Sequence, residues 1–512
     1  MIVIYHQNNN VVEVEGNEKH IVFFQKNIAK TLFEMAASYP NELILWCHVD
    51  LKSDLNLPAF GTVFHHNKIL ASFNPFQNSF LSEAVGYIEE SPFTKINKKV
   101  SYPTWQMSSH VGGVHSSVLL ALKDNVREIK NFNYFLHSMA KLAMPHGLLC
   151  YSEPLLLKNL SYQIQKSKND TFTLFRFVKE HYKTRWVILL FLNFFLYERK
   201  VTIFPLLFSL FYSQKKLSNN LLSEIQIQSV KKAVESGTID VIIPTIGRKK
   251  YLYDVLKDLS QQTHLPEKVI IVEQNPNPDS ISELDYLTNE YWPFRIQHIF
   301  TNQVGACNAR NLALEKIENE WLFLADDDIR FENLFLEKAL NQIQLYGVNA
   351  TTYSCLQKNE NPFLNNTHQW STFGSGCSIV KNHAVKNILF KIGFEFGFGE
   401  DSDFGMQLRN QGTDVIFIPS PEIVHLKAPI GGFRTKPILV WDVDKIQPKP
   451  SPTIMLYKLL HLNEKQIRGY KTILFFKFYK VQPIKNPIKY FFRFNEQWER
   501  SLYWANQLKN QE

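Results

Sequence analysis

The apolar and polar positions of residues 238–330 fall into a regular alternation. The apolar runs "DVIIPT", "KVIIVEQ" and "WLFLA" predict buried strands, and "FRIQHIFTNQVG" predicts a further extended stretch. Between them, "KYLYDVLKDLSQQT" and "ACNARNLALEKIEN" have the spacing of amphipathic helices. Strands that alternate with helices of this length predict βαβ units and a mostly parallel sheet. The pattern begins near Thr238 and fades beyond residue 435.

The remaining regions have different patterns. Residues 1–170 contain shorter strand-like runs, including "HIVFFQ" and "NELILWCHV", and predict an α/β domain. Residues 186–197 and 201–212 form two apolar runs of about 12 residues, whereas a membrane-spanning helix needs about 20. They predict either a pair of core helices or a pair of helices lying on a membrane surface. We therefore expect four segments: an N-terminal α/β domain (1–170), a helical linker (171–236), a second α/β domain (237–435) and a helical C-terminal extension (436–512).

Composition and charge refine this picture. The 512 residues are 45% hydrophobic and 20% charged, which is typical of a globular protein with more than one domain. Residues 445–512 carry 13 Lys or Arg against four Asp or Glu, whereas the other residues carry 43 basic and 44 acidic side chains. The basic character therefore belongs to the C-terminal extension, where lysines alternate with aromatic residues. Such a segment suits either anionic lipid or nucleic acid.

The cysteines and the N-terminus indicate a compartment. The five cysteines are scattered without a C-x-x-C pair, which favours reduced thiols in a cytoplasmic protein. The first 20 residues lack a basic stretch followed by a long apolar core, so they do not resemble a signal peptide.

The candidate chemistry lies at the ends of predicted strands. Asp326, Asp327 and Asp328 directly follow "WLFLA", and ligands of open α/β sheets bind at the carboxyl ends of strands. Adjacent carboxylates repel one another unless they share a cation, and oxygen ligands suit Mg²⁺ or Mn²⁺. Three further motifs follow the same rule: "PTIGR" after the first strand, Glu273 after the second, and "FGFGEDSDFG" before a helix.

Taken in order, these motifs resemble family-2 glycosyltransferases of the GT-A fold, a Rossmann-like α/β fold. The resemblance rests on P-T-x-G-R, an acidic residue after the second strand, N-x-x-G-x-x-x-A-R-N, a D-x-D and a G-E-D, and it covers about residues 238–435. It implies an inverting transferase that moves a hexosyl or N-acetylhexosaminyl group from a nucleotide-sugar, with a UDP-sugar favoured. The acceptor implied is a glycan or a lipid-linked glycan in polysaccharide biosynthesis.

The resemblance also assigns roles to residues. It places the nucleotide-sugar against a set drawn from all the motifs: Thr245, Arg248, Glu273, Gly305, Arg310, Asn311, Asp326 and Asp327. Asp328 and Asp326 would hold Mn²⁺ or Mg²⁺, and His425 would complete the metal shell. For Asp327, as the middle residue, simple solvent exposure is favoured. Glu273 departs from the aspartate usual in the family, which leaves the base less certain.

On the acceptor side, the resemblance makes Asp401 the general base and Glu400 an acceptor contact. A base must lie within hydrogen-bond reach of the acceptor hydroxyl. Asp403 is expected to cap the helix or face solvent. The segment "FGSGCSIV" would line the acceptor, with Gly374, Ser375 and Gly376 allowing close approach.

Three questions stay open at this point. A sugar-phosphate nucleotidyltransferase or a non-catalytic nucleotide- or glycan-binding protein would share the α/β plan. The N-terminal region is either a degenerate GT-A copy or a coincidence of short apolar runs: "ELILWCHVD" (42–50) resembles "EWLFLADDD" (320–328), and "HVGGVHSSV" (110–118) resembles "TFGSGCSIV" (372–380). For the tail and residues 186–212, a lipid-linked acceptor favours peripheral contact with the inner face of the cytoplasmic membrane and no nucleic-acid partner.

Overall fold

The computed structural model describes residues 1–16, 19–76, 80–159, 170–218, 220–362, 365–429 and 438–510. The chain forms two compact units, one of residues 1–231 and 463–474 and the other of residues 232–462 and 475–512. Of the predicted linker (171–236), residues 171–231 belong to the first unit and residues 232–236 to the second, and the C-terminal extension is divided between the two units. The predicted boundary between residues 435 and 436 lies outside the described residues.

The first unit is an eight-stranded sheet with helices, in the order β3-β2-β1-β4-β7-β5-β8-β6. Its strands are β1 (Ile2–Gln7), β2 (Asn10–Gly16), β3 (Lys19–His20), β4 (Leu43–His48), β5 (Ile69–Phe73), β6 (Tyr102–Pro103), β7 (Val111–His115) and β8 (Leu149–Ser152). Its helices are α1 (Ile28–Ser38), α2 (Phe60–Val63), α3 (Ser116–Val126), α4 (Phe132–Ala143), α5 (Thr171–His181), α6 (Thr184–Glu198) and α7 (Ile203–Ser209). Short 3₁₀ turns occupy Val49–Asp54, Leu57–Ala59, Glu83–Tyr87, Pro92–Thr94, Met144–His146 and Pro154–Leu156.

The second unit is a nine-stranded sheet, in the order β11-β10-β9-β12-β16-β14-β17-β13, with β15 paired to β17. Its strands are β9 (Ile239–Thr245), β10 (Lys268–Gln274), β11 (Arg295–Thr301), β12 (Trp321–Ala325), β13 (Ile329–Phe331), β14 (Ala350–Gln357), β15 (His368–Gln369), β16 (Cys377–Lys381) and β17 (Ile416–His425). Its helices are α8 (Lys249–Ser260), α9 (Tyr286–Asn289), α10 (Ala306–Leu314), α11 (Phe335–Tyr346), α12 (Asn382–Val385), α13 (Glu400–Asn410), α14 (Pro452–His461) and α16 (Pro487–Lys509), with a 3₁₀ turn at Ile392–Phe394. Helix α15 (Glu464–Tyr479) begins in the first unit and ends in the second.

The second sheet forms as its sequence pattern predicts. Strands β11, β10, β9 and β12 run parallel to one another, and β16 then runs antiparallel to β12. Every residue of β12 is fully buried, which explains its unbroken apolar run. Helix α8 buries Leu252, Val255, Leu256 and Leu259, at the spacing of one helical face. The expected α/β class with a helical C-terminal region is confirmed.

The centres of the two sheets share one topology. In each, two parallel strands (β1 and β4, or β9 and β12) are followed by an antiparallel strand (β7 or β16) and then by a second parallel pair (β5 and β8, or β14 and β17). Register agrees as well, since Cys47 faces Val111 as Ala325 faces Cys377. We keep the degenerate copy as a proposal, which this repetition supports.

The proposed correspondence between segments 110–118 and 372–380 is out of register. Aligning those two segments pairs Cys377 with His115, whereas the strand ladders pair it with Val111. The glycines of the two segments suggest a false alignment, because each allows close contact with a different kind of group. A Cβ atom at Gly112 would overlap the Trp46 ring, and one at Gly376 would overlap the Asp326 carboxylate.

Helices α6 and α7 expose much of their apolar surface. On α7 the side chains of Phe204 and Phe208 are 69% and 60% exposed, and Phe211, just after α7, is 87% exposed. On α6, Val187 and Leu190 are buried in the core of the first unit. The helices formed by the two apolar runs, residues 186–197 and 201–212, therefore pack against the core of the first unit with one face and expose the other. No helix in the described ranges combines the length and the hydropathy that crossing a bilayer requires.

Candidate functional site

The three aspartates after β12 point to three different sets of partners. Because β12 lies between β9 and β16, the triplet leaves the sheet at its centre. Asp327 and Asp328 are buried, each with 3% of its surface exposed, whereas the Asp326 side chain is 37% exposed. The three carboxylates therefore have different surroundings and different partners.

Asp327 is buried at the base of the site, where hydrogen bonds hold its carboxylate. Thr245 Oγ1 donates to Asp327 Oδ2 at 2.7 Å, and Arg248 Nη1 donates to Asp327 Oδ1 at 2.6 Å. Burial raises the pKa of the Asp327 carboxyl to about 6, against the effect of Arg248. The expectation that Asp327 is solvent exposed is therefore wrong, because the first loop supplies it with two donors.

Asp328 lies beside His425. Strand β13 pairs with β17 so that Ile329 faces His425, which brings His425 Nε2 to 3.3 Å from Asp328 Oδ1. The Ala428 amide donates to Asp328 Oδ2 at 2.8 Å. The hydrogen bond with Asp328 raises the pKa of His425; burial opposes ionisation of Asp328, yet its hydrogen bonds lower its pKa overall. The pair offers one carboxylate oxygen and one imidazole nitrogen.

Asp326 turns toward Arg310 instead. Arg310 Nη2 lies 3.1 Å from Asp326 Oδ1, and Gly376 packs so closely that a Cβ atom there would overlap the carboxylate. The ligand atoms of Asp326, Asp328 and His425 do not all lie within 4.8 Å of one another, a closeness that, in the described ranges, only Glu13, Glu15 and His20 show. Two of the three predicted metal ligands are thus brought together, and the third forms an ion pair.

Asp328 and His425, the two predicted metal ligands that lie together, suit a hard divalent cation. An oxygen and an imidazole nitrogen at adjacent positions, with His425 partly exposed, fit Mn²⁺ or Mg²⁺ better than a thiophilic metal. Arg248 Nη1 also approaches Asp328 Oδ2 at 3.3 Å.

Arg310 links the aspartate triplet to the second acidic pair. It is 7% exposed, and the charges of Asp326, Asp401 and Glu400 all act on its guanidinium. Its Nε has no hydrogen-bond partner among the described residues. A buried cation thus lies among carboxylates from the end of β12 and from the start of α13.

Glu400 and Asp401 begin α13 directly after Gly399, whose φ of +119° favours glycine. Both side chains are half-buried. Burial and the neighbouring Asp401 charge raise the pKa of Glu400 to about 7, and burial raises that of Asp401. Ser375 Oγ donates to Asp401 Oδ1, which fixes the carboxylate. Glu400 can therefore exchange a proton near neutral pH, and the raised pKa of Asp401 makes its carboxylate a stronger base than an exposed aspartate.

The glycines beside Ser375 have different neighbours. A Cβ atom at Gly374 would come within 2.6 Å of Cys377 Sγ, so this glycine serves packing of the strand entry. Gly376 lies against Asp326, as described above. The predicted acceptor segment therefore lies between Asp401 and Asp326, through Ser375 and Gly376 respectively.

Two predicted nucleotide contacts have structural partners. Glu273 accepts from the Glu283 amide at 3.0 Å and lies 2.9 Å from His298 Nε2. The Asn311 amide bonds the Phe390 backbone in both directions, at 2.7 and 2.8 Å. These side chains order the loops around the site, and neither amide nor carboxylate depends on a ligand for its hydrogen bonds.

Glu395, which the sequence did not identify as part of the site, packs against Gly305. The Glu395 carboxylate accepts from the Cys307 and Asn308 amides at the start of α10, at 3.1 and 3.0 Å. A Cβ atom at Gly305, where φ is +144°, would overlap it. The start of α10, which the resemblance places against the nucleotide-sugar, already holds a carboxylate that satisfies its free backbone amides. The glycine was the available signal, but nothing local identified its partner.

The expectation for Asp403 is also wrong. It is fully buried, accepts from Gln407 Nε2 at 2.7 Å and lies 2.6 Å from His461 Nε2. His461 comes from α14, about 60 residues later, so the local motif could not reveal the pair. It anchors α13 and therefore the Glu400–Asp401 turn.

Comparisons with known proteins match residues 240–402 to the family described as "Glycosyl transferase family 2". A protein from Haemophilus influenzae named "Uncharacterized glycosyltransferase" is 31% identical over 106 residues, which are 21% of this chain and 34% of the relative. One of the same name from Rickettsia bellii is 29% identical over 118 residues, 23% of this chain and 16% of the relative. The chain thus matches about a third or less of these relatives.

Among solved structures, S. aureus TarS 1-349 in complex with UDP-GlcNAc aligns with a TM-score of 0.35 at 15% identity, over 46% of this chain and 70% of that one. GalNAc-T7 with UDP, GalNAc and Mn²⁺ aligns with a TM-score of 0.36 at 11% identity, over 50% and 54%. The family match confirms the resemblance drawn from the motifs: residues 240–402 are a glycosyl transferase family 2 domain.

Proposed function

We propose that the second unit transfers a sugar from a nucleotide-sugar to a hydroxyl of a glycan or lipid-linked acceptor, with inversion at the anomeric carbon. A hexosyl or N-acetylhexosaminyl group carried by UDP is the favoured donor. One observation carries the proposal: Arg310 faces Asp326 on one side and the Glu400–Asp401 pair on the other. Donor-side and acceptor-side acids therefore belong to a single site.

Asp401 is the proposed general base. It takes the proton of the acceptor hydroxyl as the hydroxyl oxygen forms its bond to the anomeric carbon. The bond from that carbon to the diphosphate oxygen breaks in the same step, and its electron pair leaves with the nucleoside diphosphate. Ser375 orients the Asp401 carboxylate, and Glu400 would contact the acceptor. Attack opposite the leaving group inverts the configuration.

The donor side would be held by the first loop and the triplet. Arg248 and Thr245 fix Asp327 as a floor, and Arg310 supplies positive charge next to Asp326. Asp328 and His425 would hold Mn²⁺ or Mg²⁺, which would stabilise negative charge on the departing diphosphate when bound. Glu273, Gly305 and Asn311 act on this side by ordering the loops.

Peripheral contact with anionic lipid on the inner face of the cytoplasmic membrane is part of the proposal. The exposed aromatic face of α7 supports it, as do the exposed Phe491 (50%) and Phe492 (63%) of α16 among basic residues. Aromatic side chains favour the headgroup level, and lysines and arginines are attracted by anionic lipid. A lipid-linked acceptor would be met at such a surface.

The reaction is tested by incubating the full chain with UDP-glucose, UDP-galactose, UDP-GlcNAc and UDP-GalNAc, with Mn²⁺ and candidate glycan acceptors. We expect sugar transfer with release of UDP. Asp401→Asn should lower the rate about 10²–10⁴-fold, and Glu499→Gln, at an exposed acid of α16, should not.

Two results would overturn the proposal. Full transfer activity of Asp401→Asn would remove the assigned base. Release of pyrophosphate from UTP and a sugar phosphate, without transfer from any UDP-sugar, would identify a sugar-phosphate nucleotidyltransferase instead.

A further inference from the structure

The first unit contains a cavity of about 540 Å³ at the edge of its sheet. The ends of four strands line it: His6 of β1, His48 of β4, Phe73 of β5 and Ser152 of β8. These are the carboxyl ends of the parallel strands, where open α/β sheets bind ligands. The volume lies within the range of about 300–1,000 Å³ that is usual for small-molecule sites.

The cavity lies at the counterpart of the candidate site in the second unit. β1 and β4 match β9 and β12 in order and direction, and the β4–β7 and β12–β16 ladders put His48, the last residue of β4, at the position that Asp326 has after β12. The scaffold has therefore kept an opening at this place while its side chains differ.

The charges of the cavity do not suit a nucleoside diphosphate. Among its described lining residues, Lys98 is the single lysine or arginine, and it is accompanied by Asp50 and Asp170. Two of the lining histidines do not add positive charge at neutral pH, since burial lowers the pKa of His6 and of His110 to about 4. A diphosphate carries at least two negative charges and would need more cations than this wall provides.

The lining instead combines neutral amides with aromatic rings. Six side chains carry amide groups: Asn8, Asn9, Asn74, Gln106, Asn131 and Asn133. An amide both donates and accepts hydrogen bonds, which matches the hydroxyl groups of a sugar. Phe76 packs against His110 with ring centroids 4.6 Å apart, and Phe80 packs against His137 at 5.2 Å. Aromatic faces of this kind suit the apolar C–H faces of pyranose rings.

We propose that the first unit binds an uncharged oligosaccharide in this cavity. The unit then acts as a glycan-binding domain that holds a saccharide without reacting with it. This inference goes beyond the proposed transfer reaction and does not depend on it, because it rests on the residues of the first unit alone.

The test uses the full chain with the Asp401→Asn substitution, so that no transfer consumes the probes. Maltohexaose, cellohexaose, chitohexaose and isomaltohexaose are titrated by saturation-transfer NMR and calorimetry, with a hyaluronan hexasaccharide and UDP as anionic comparators. We expect at least one neutral hexasaccharide to bind. Phe76→Ala and Gln106→Ala should each weaken that binding at least tenfold, with unchanged circular dichroism. Phe24→Ala, an exposed phenylalanine that does not line the cavity, should leave it unchanged.

Three outcomes would overturn the inference. Binding of none of the neutral hexasaccharides is the first. Binding of the anionic probes alone, with loss in Phe76→Ala, is the second, since it would contradict the charge argument. Neutral binding that both cavity variants keep is the third, because it would place the saccharide elsewhere. A failed transfer assay leaves all three readouts intact.

Discussion

The two sheets of this protein end in different chemistry on the same scaffold. After β12 come three aspartates with Arg310, Arg248 and His425 around them, whereas β4 ends at His48, followed by Val49 and Asp50, beside a cavity lined mainly by amide and aromatic side chains. Strand order and direction agree at the centres of the two sheets. The comparison teaches that the sheet fixes where a ligand can lie, and that a few side chains at strand ends decide its charge.

The difference extends into the helix that packs behind each strand. Leu32 of α1 lies ten residues before Glu42, and Arg310 of α10 lies ten residues before Glu320, so the two residues correspond in position. Leu32 is fully buried in the apolar core of the first unit. A leucine there needs no charged partner. An arginine there needs carboxylates, and Asp326, Glu400 and Asp401 supply them.

The largest expected effect comes from making the second unit resemble the first at this position. Arg310→Leu leaves the acidic groups around Asp326 without their buried cation, and breaking such a pair costs about 3–5 kcal/mol, toward the lower end here because Asp326 is partly exposed. We expect urea unfolding to show that loss, together with loss of transfer activity. Arg295→Leu, at a cation with a 68% exposed side chain, is the control and should change stability little. Equal stability of both variants would contradict the assigned role of Arg310.

The second expected effect is a difference in pH dependence between sugar transfer by the second unit and saccharide binding by the first. The raised pKa values of Glu400, about 7, and of Asp401 mean that protonation removes the base as pH falls. Transfer should therefore decline as the pH falls through the Glu400 pKa of about 7 and decline further as Asp401 takes up a proton, and Glu400→Gln should abolish the first of these two declines. Ionisation of His6 and His110 should not change saccharide binding by the first unit between pH 5.5 and 8, since both remain neutral there. The pH profiles of kcat/KM and of Kd provide the measurement, and a profile of transfer that is level down to pH 5 would contradict the assignment.

Glycine substitutions distinguish packing from site geometry. A Cβ atom at Gly112 meets the Trp46 ring and β5 backbone, so Gly112→Ala should destabilise the first unit by about 1–3 kcal/mol. At Gly376 the atom that gives way is the partly exposed Asp326 carboxylate, so Gly376→Ala should mainly raise the KM for the donor. Thermal unfolding and steady-state kinetics of the two variants provide the comparison. A KM effect from Gly112→Ala without loss of stability would break it.

The smallest expected effect concerns lipid. Serine at Phe204, Phe208 and Phe211 together should reduce flotation with vesicles that contain phosphatidylglycerol several-fold, because each phenylalanine is largely exposed. Serine at Phe491 and Phe492 should reduce it less, since fewer aromatic rings are removed. Vesicles of phosphatidylcholine alone are the control for charge. Undiminished flotation of the triple variant would exclude α7 as the contact.

The sequence predicted the elements of the second unit well because its signals are local. Buried apolar runs define β9, β10 and β12, and the motifs at their ends placed Thr245, Arg248 and the triplet at one edge of the sheet. The order of these motifs along the chain carried the family resemblance.

The errors share a physical cause, which is contact between residues far apart in the chain. Asp327 is buried because a loop about 80 residues earlier supplies its donors, and Asp403 is buried because His461 reaches it from α14. Glu395 occupies the start of α10 by the same kind of contact. The glycines shared by segments 110–118 and 372–380 also gave the wrong register for β7, since a short sequence similarity does not identify which residues pair across strands.

Calorimetric titration of UDP with Mn²⁺ tests the central claim most directly, because the repeated topology provides a matched control. Asp328→Ala removes the carboxylate beside His425, and Asp50→Ala removes the residue at the corresponding position after β4. The account predicts Mn²⁺-dependent UDP binding that Asp328→Ala abolishes and Asp50→Ala leaves unchanged. Binding that disappears in Asp50→Ala and persists in Asp328→Ala would contradict it by assigning the nucleotide to the first unit.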